Sequence, residues 1–315
     1  MKIISAFAVS CFGLVLVFAI FGLMETPSQD IQAFPASLQL PQKQVPQELT
    51  LLFTGDIMLD RGVEWEVEKN GGDWRLPFLK IADTLQKADL AFGNLESQIS
   101  DQGTNRGSIY SFRANPQSLE GLTYAGFDVL SVANNHSLDY TREAFEDSLS
   151  RLWESGIVPV ADSLAIKEVK DIRIGFLAYT NFAGIAKVDW DNLQEVIKDI
   201  RRAKSRVDIL VVSLHAGEEY AKDPNEFQKA FARNAIDGGA DLVVGHHPHV
   251  VQALEQYGQG WIAYSLGNFV FDQPFSKETM SGAILKVILE DKKIKEVSFL
   301  PTKLNSSFQV ELSEF

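Results

Sequence analysis

Short apolar runs alternate with amphipathic stretches from Glu48 to Phe271. "LTLLFTGD" (Leu49 to Asp56) reads as a buried strand ending in a turn, and "ADLAFGNLES" (Ala88 to Ser97) and "FDVLSVANNH" (Phe127 to His136) repeat that form. "IRIGFLAYT" (Ile172 to Thr180), "DILVVSLHAGEE" (Asp208 to Glu219), "ADLVVGHH" (Ala240 to His247) and "WIAYSLGN" (Trp261 to Asn268) predict further strands. Helices fall between them. "TREAFEDSLSRLWESG" predicts one that stops at Gly156. "DNLQEVIKDIRRAKS" predicts another, with Asp191 as N-cap and Gln194 three residues on. "DPNEFQKAFARNAIDGG" predicts a third, with Asp223 as cap, Pro224 at the first position and Gly238 to close it. After Gln273 the pattern changes: "SGAILKVILEDKKIKEVSFLPTKL" predicts two strands and a charged turn, a hairpin at a sheet edge. The alternation makes this an α/β chain. In open α/β sheets, ligands sit beyond the carboxyl ends of the strands.

The N-terminus follows a different pattern. Ile3 to Met24 carry no charge. As a helix they reach roughly 33 Å, enough to cross a hydrocarbon core of about 30 Å. Lys2 flanks the run on one side, so positive-inside logic keeps it in the cytoplasm and sends the rest outward. A cleaved signal peptide has similar flanks, but no small-x-small site follows directly, which favours an uncleaved anchor. Pro27, Pro35, Pro41 and Pro46 among Gln and Ser make the stretch up to Gln47 a linker. The expected organisation is an anchor over 1–24, a linker over 25–47 and a folded domain over 48–315.

Charge narrows the function classes. The net charge of −13 argues against nucleic acid as a partner and against a polybasic membrane patch, while it suits cations. The only cysteine, Cys11, lies in the apolar run, so the domain has neither a disulfide nor a thiolate metal site.

The chain has five histidines, His136, His215, His246, His247 and His249, and each follows an apolar strand-like run. So do Asp56, Asn94, Glu96, Asn134, Asn135, Glu218, Glu219 and Asn268. Any one of these can be a turn former or a solvated residue. All five histidines at strand ends, with none elsewhere, instead suggest a rim of imidazoles, carboxylates and amides. That donor set suits one or two divalent metal ions, Mn, Zn or Fe. On extended backbone His247 and His249 share a face, so both imidazoles can point at one centre, with Pro248 stiffening the segment between them.

Seven segments in order resemble the CapA-type capsule-synthesis family, which serves poly-γ-glutamate production: "FTGDIML", "DLAFGNLES", "SFRANP", "AGFDVLSVANNHSLDY", "SLHAGEEY", "GADLVVGHHPHVVQ" and "YSLGNFVFDQ". They span about Leu49 to Gln273. That family in turn resembles the calcineurin-like metallophosphoesterases, so the implied fold is a two-sheet sandwich flanked by helices. The resemblance implies Asp56 as a metal ligand on the first strand and Glu96 as the bridging carboxylate. Asn135 is implied as a ligand, His136 as a general acid, and His215, His247 and His249 as further ligands; His246 can substitute for His247 in that register. Two positions depart from the phosphoesterase pattern. Met58 stands where a first-strand histidine is usual, and the bridging segment is Gly93-Asn94-Leu95-Glu96 rather than Gly-Asp-x-x-Asp. One metal site is therefore poorer in ligands.

The favoured function is a membrane-anchored, extracytoplasmic, metal-dependent hydrolase or transferase of capsule or poly-γ-glutamate synthesis or export. Its substrate would be an anionic polymer or a phosphorylated compound, and its partners the membrane and other capsule-synthesis membrane proteins. Arg113 in "SFRANP" is a candidate for pairing with a substrate carboxylate or phosphate. Two alternatives stay open: a non-catalytic metal- or polymer-binding component of a synthesis complex, and a secreted metallophosphoesterase.

Overall fold

Strands come first in this chain, and most of them are buried on both faces. The structure, a computed structural model, describes residues 48–314. The expected anchor and linker lie outside the described residues. No helix among the described residues is long and apolar enough to cross a membrane. In chain order the strands are β1 (Glu48–Ile57), β2 (Leu90–Leu95), β3 (Gln98–Ile99), β4 (Arg113–Ala114), β5 (Val129–Ser131), β6 (Val158–Val160), β7 (Ala165–Val169) and β8 (Ile172–Thr180). They continue with β9 (Ile209–His215), β10 (Leu242–His246), β11 (Leu254–Tyr257), β12 (Gly260–Ala263), β13 (Asn268–Val270), β14 (Ser281–Glu290), β15 (Lys293–Leu304) and β16 (Val310–Leu312). The helices are α1 (Arg61–Lys69), α2 (Ala82–Leu85), α3 (Leu119–Ala125), α4 (Thr141–Glu154), α5 (Leu193–Lys204) and α6 (Glu226–Asp237).

One sheet has the order β16-β15-β14-β1-β2-β5-β6, with β13 also pairing β1; the other runs β11-β12-β10-β9-β8-β7. Period-2 alternation explains the layers. Leu49, Leu51 and Phe53 of β1 face Ile174, Phe176, Val211 and Val244 of the second sheet in one apolar core. Leu52 and Ile57 face the other way, onto Val63, Leu122 and Phe145 of the helices on that side. Leu210 and Val212 of β9 pack outward against Ile197, Ile200 and Phe231 of α5 and α6. Phe92 joins the sheets, stacked on Phe176 at 5.7 Å and tilted against Phe53 at 5.6 Å. The result is a two-sheet sandwich flanked by helices.

The hairpin forms as expected, with Asp291 and Lys292 both at positive φ, the geometry of a two-residue turn that matches strand twist. It is not the edge of its sheet, however, because the short β16 pairs outside β15. Two helix caps also differ from expectation. Asn192, not Asp191, precedes α5, because Asp189 Oδ1 already accepts from the amides of Asp191 (3.0 Å) and Asn192 (3.3 Å) in a tight turn. Asn225, not Asp223, caps α6, in a reciprocal box with Gln228. That frame buries Phe227, Gln228 and Phe231 on one helix face. Gln228 Nε2 also donates to Gln252 Oε1 at 3.0 Å, tying the helix start to the segment after the histidines.

The capping difference is measurable. Asn225→Ala should cost about 1 kcal/mol, a fall in melting temperature of roughly 2–4 °C, whereas exposed Asp223→Ala should leave calorimetric melting unchanged. A larger loss in the Asp223 variant would put the helix start back at the proline.

Candidate metal centre

The strand ends meet at level rungs. Asp56 lies opposite Asn94 of β2 and Asn268 of β13. In the second sheet, His215 lies opposite His246 of β10 and Thr180 of β8. Between Phe53 and Asp56 the β1–β2 register shifts by one residue, a bulge that re-aims Asp56. The bulge rests on Gly55, whose backbone approaches the next loop so closely that a Cβ would lie 1.9 Å from the Gly267 carbonyl oxygen. The His247 amide donates to Asp56 Oδ2 at 3.1 Å and so links the two sheets at the site.

The histidine segment does not run extended. β10 ends at His246, and His247 and His249 have φ of 97° and 58°, in the left-handed region. The shared-face expectation fails there, because each residue after the strand turns the chain. His247 and His249 still bring ligand atoms to one centre with Glu96, but by turned and not extended backbone. His246 is buried against Phe92 (ring centroids 6.4 Å apart), its Nδ1 3.4 Å from Asp56 Oδ1. His247 packs on His215 (4.9 Å) and Phe182 (4.3 Å). His249 Nδ1 lies 2.9 Å from Asn268 Oδ1, which leaves Nε2 facing Glu96 at 3.9 Å. Left-handed backbone costs a non-glycine residue roughly 1–3 kcal/mol, which the surrounding contacts must offset.

Glu96 sits at the middle, fully buried, and neither carboxylate oxygen has a hydrogen-bond partner among the described residues. Both nitrogens of His246 and Nδ1 of His247 are likewise unpartnered. Glu96 Oε1 lies 3.7 Å from His136 Nε2, 3.8 Å from His215 Nε2 and 3.9 Å from His249 Nε2. Those gaps are too long for hydrogen bonds. They suit atoms sharing an ion, since ligands each about 2.0–2.2 Å from a cation lie roughly 3–4 Å apart. Two triplets of ligand atoms lie within 4.8 Å of one another, Glu96 with His247 and His249, and Glu96 with Asp56 and His215. The shared member is Glu96.

The electrostatics agree with that arrangement. Burial, then the charge of Asp56, pushes the Glu96 carboxyl well above its ordinary value. Burial would also raise Asp56, but the neighbouring His246 and His249 outweigh it and hold Asp56 well below. Burial and the neighbouring His247 drive His215 well below the usual imidazole range, and burial with His249 lowers His247 to about 3. Neutral His215 and His247 are in the protonation state a cation needs, and a cation's charge would in turn favour the ionised form of Glu96. The residues present therefore fit a divalent ion held by nitrogen and oxygen.

Beside the cluster stands a second arrangement. His136 Nδ1 donates to Asp139 Oδ2 at 2.7 Å, and Nε2 then accepts from Asn135 Nδ2 at 2.8 Å. Asn135 Oδ1 accepts from His215 Nε2 at 2.7 Å. Phe112 stacks on the His136 ring at 3.9 Å and 28°. Asp139 was missed in the sequence, although its place three residues after His136 in "HSLDY" was a usable signal. Asn94 Nδ2 donates to Asp56 Oδ1 at 2.8 Å, and Asn134 Nδ2 to the Leu95 carbonyl at 2.8 Å. These amides orient the carboxylate strands from beneath.

The structure thus brings Asp56, Glu96, Asn135, His136, His215, His247 and His249 together, with His246 behind Asp56. It does not bring Arg113. Pairing of β4 with β3 turns that side chain away, so its Nη1 donates to the Gln102 carbonyl at 3.0 Å and its guanidinium lies 4.3 Å from the Tyr140 ring centroid. Arg61 is there instead. It lines a cavity of ≈ 820 Å³ over the cluster, with Asn135, His136, Glu219, Tyr220 and His249 in the same wall.

Known proteins share the sequence and the fold of this chain. Residues 50–273 match the family described as "Bacterial capsule synthesis protein PGA_cap". The capsule biosynthesis protein CapA of Bacillus anthracis is 33% identical over 284 residues, covering 82% of this chain and 68% of that one. The PGA biosynthesis protein CapA of Bacillus subtilis (strain 168) is 32% identical over 255 residues, 75% of this chain and 67% of that one. Among solved structures, a hypothetical protein from Thermus thermophilus is similar with a TM-score of 0.54 at 17% identity, covering 81% of this chain and 99% of that one. A novel phosphatase of Mycoplasma pneumoniae is similar with a TM-score of 0.51 at 17% identity, 82% of this chain and 94% of that one. At that identity the likeness shows the fold, which is that of the calcineurin-like metallophosphoesterases. On sequence and fold together, this chain belongs to the bacterial capsule synthesis (PGA_cap) family.

Proposed function

We propose that this protein serves capsule or poly-γ-glutamate synthesis or export as a metal-dependent hydrolase or transferase. It would act on an anionic polymer or a phosphorylated substrate, outside the cytoplasm and held to the membrane by its apolar N-terminal run. One observation carries the reading: Glu96, buried and without a single hydrogen-bond donor, among three imidazole nitrogens at 3.7–3.9 Å. A buried carboxylate left uncompensated costs several kcal/mol, so a cation is its natural partner. Asp56, Glu96, His215, His247 and His249 would hold one or two divalent ions, and His246 would support Asp56 from behind. A bound cation supplies Lewis-acid polarisation and makes water a better nucleophile near neutral pH.

The chain's own residues supply the rest. The ≈ 820 Å³ cavity leaves the His136 side of the cluster open to a substrate. Asp139 holds the His136 Nδ1 proton and would stabilise the imidazolium, so that Nε2 can give a proton to a leaving group. Phe112 fixes the ring plane.

Two outcomes are expected. In the metal-free protein, the raised Glu96 carboxyl gives a stability that is full below the unfolded value and falls as pH rises toward the folded one. Metal-free Glu96→Gln should escape that fall and melt above metal-free wild type at pH 7–8, yet bind no metal by elemental analysis. A variant that melts lower, or keeps wild-type metal, removes the bridging role. Separately, His136→Asn should retain metal while turnover on phosphoester or γ-glutamyl substrates falls by roughly 10²–10⁴, and His249→Asn should lose metal. Intact hydrolysis and polymer production in His136→Asn would make the site a binding one.

A further inference from the structure

The cavity over the cluster carries charge of mainly one sign. Asp139, Glu219 and Asp272 line it, and Arg61 is the one Lys or Arg among the described residues in its wall. Arg61 is therefore the one fixed cation that the wall offers to an anionic substrate.

Arg61 is also built into place. It opens α1, five residues after Asp56, at φ 52°. Asp272 accepts from Nη2 and, through its other oxygen, from the Gly62 amide at 2.9 Å. The guanidinium carbon lies 4.5 Å from the Phe112 ring centroid and 5.9 Å from that of Phe271. Phe112 is the ring that stacks on His136. Asp272 is the only hydrogen-bond partner of the guanidinium among the described residues, and buried Nε has none. A planar guanidinium held against aromatic rings, with Nη1 unpartnered among the described residues and the side chain lining an open cavity, suits a carboxylate or phosphate.

We propose that Arg61 forms an anion subsite beside the metal cluster that takes an oxyanion group of the substrate and fixes its register against His136. This rests on the reading of the cluster as a metal site. The test is calorimetric titration of the Mn-loaded, full-length protein with two probes, tri-γ-glutamate and inorganic phosphate. Arg61→Gln should bind the recognised probe roughly 10- to 100-fold more weakly with unchanged metal content. Arg61→Lys, which keeps the charge but not the fork, should fall between the two and serves if the Gln variant is unstable. Loss confined to tri-γ-glutamate assigns the subsite to a carboxylate chain, loss confined to phosphate assigns it to a phosphorylated ligand, and loss of both assigns it to either oxyanion. Wild-type affinity for both probes in both variants overturns the subsite. Repeating the titrations after chelation separates the two ideas. If the metal reading fails, chelation leaves wild-type affinity unchanged, while the ratio between wild type and Arg61→Gln still reports on Arg61.

Discussion

Everything near the site depends on one unfavourable fact, a buried carboxylate without a hydrogen-bond donor. Glu96 lies beneath the surface with both oxygens unpartnered, in a protein whose other buried carboxylate at that level, Asp56, is held by Asn94 and by the His247 amide. Such a group is tolerated where something else compensates it. The neighbours are arranged as if for a cation. Imidazoles surround it, burial lowers the basicity of His215 and His247, and the amides of Asn94 and Asn134 are engaged with Asp56 and the backbone.

Much of the local backbone follows from that centre. The bulge in β1, the Gly55–Gly267 approach and the left-handed His247 and His249 are each departures from regular geometry, and all lie at the carboxyl ends of strands. The regular part of the fold is the rigid sandwich behind them, tied by Phe53, Phe92 and Phe176. Strain of this kind persists only where the surroundings over-determine it. The stack that runs from Arg61 through Phe112 to His136 ties the open cavity to the same frame.

The strands were legible because burial on both faces writes a continuous apolar run; β8, for instance, spans Ile172–Thr180, the run read from sequence. The gathering of all five histidines followed from the same signal, since each stands where such a run stops. What sequence could not show was direction. The caps of α5 and α6 were misplaced because Asp, Asn and Gln offer several overlapping capping frames, and tertiary packing chose among them. The extended-backbone argument for His247 and His249 failed because nothing in "GHHPH" announces positive φ without glycine. Arg113 and Arg61 look alike in sequence; a two-residue pairing of β4 with β3 turns one away, while Asp272, 211 residues along the chain, holds the other in. Long-range partners of that kind leave no local trace.

The gathered imidazoles and carboxylates fit a metal site, and the geometry of Glu96 makes it specific. Anomalous diffraction at the manganese edge, from crystals of the protein grown with Mn²⁺, is the most direct measurement. The account predicts density within coordinating distance of Glu96, between the His247–His249 pair and the Asp56–His215 pair. Full-strength peaks elsewhere and none there, with the Glu96 oxygens hydrogen-bonded to ordered water, would contradict it.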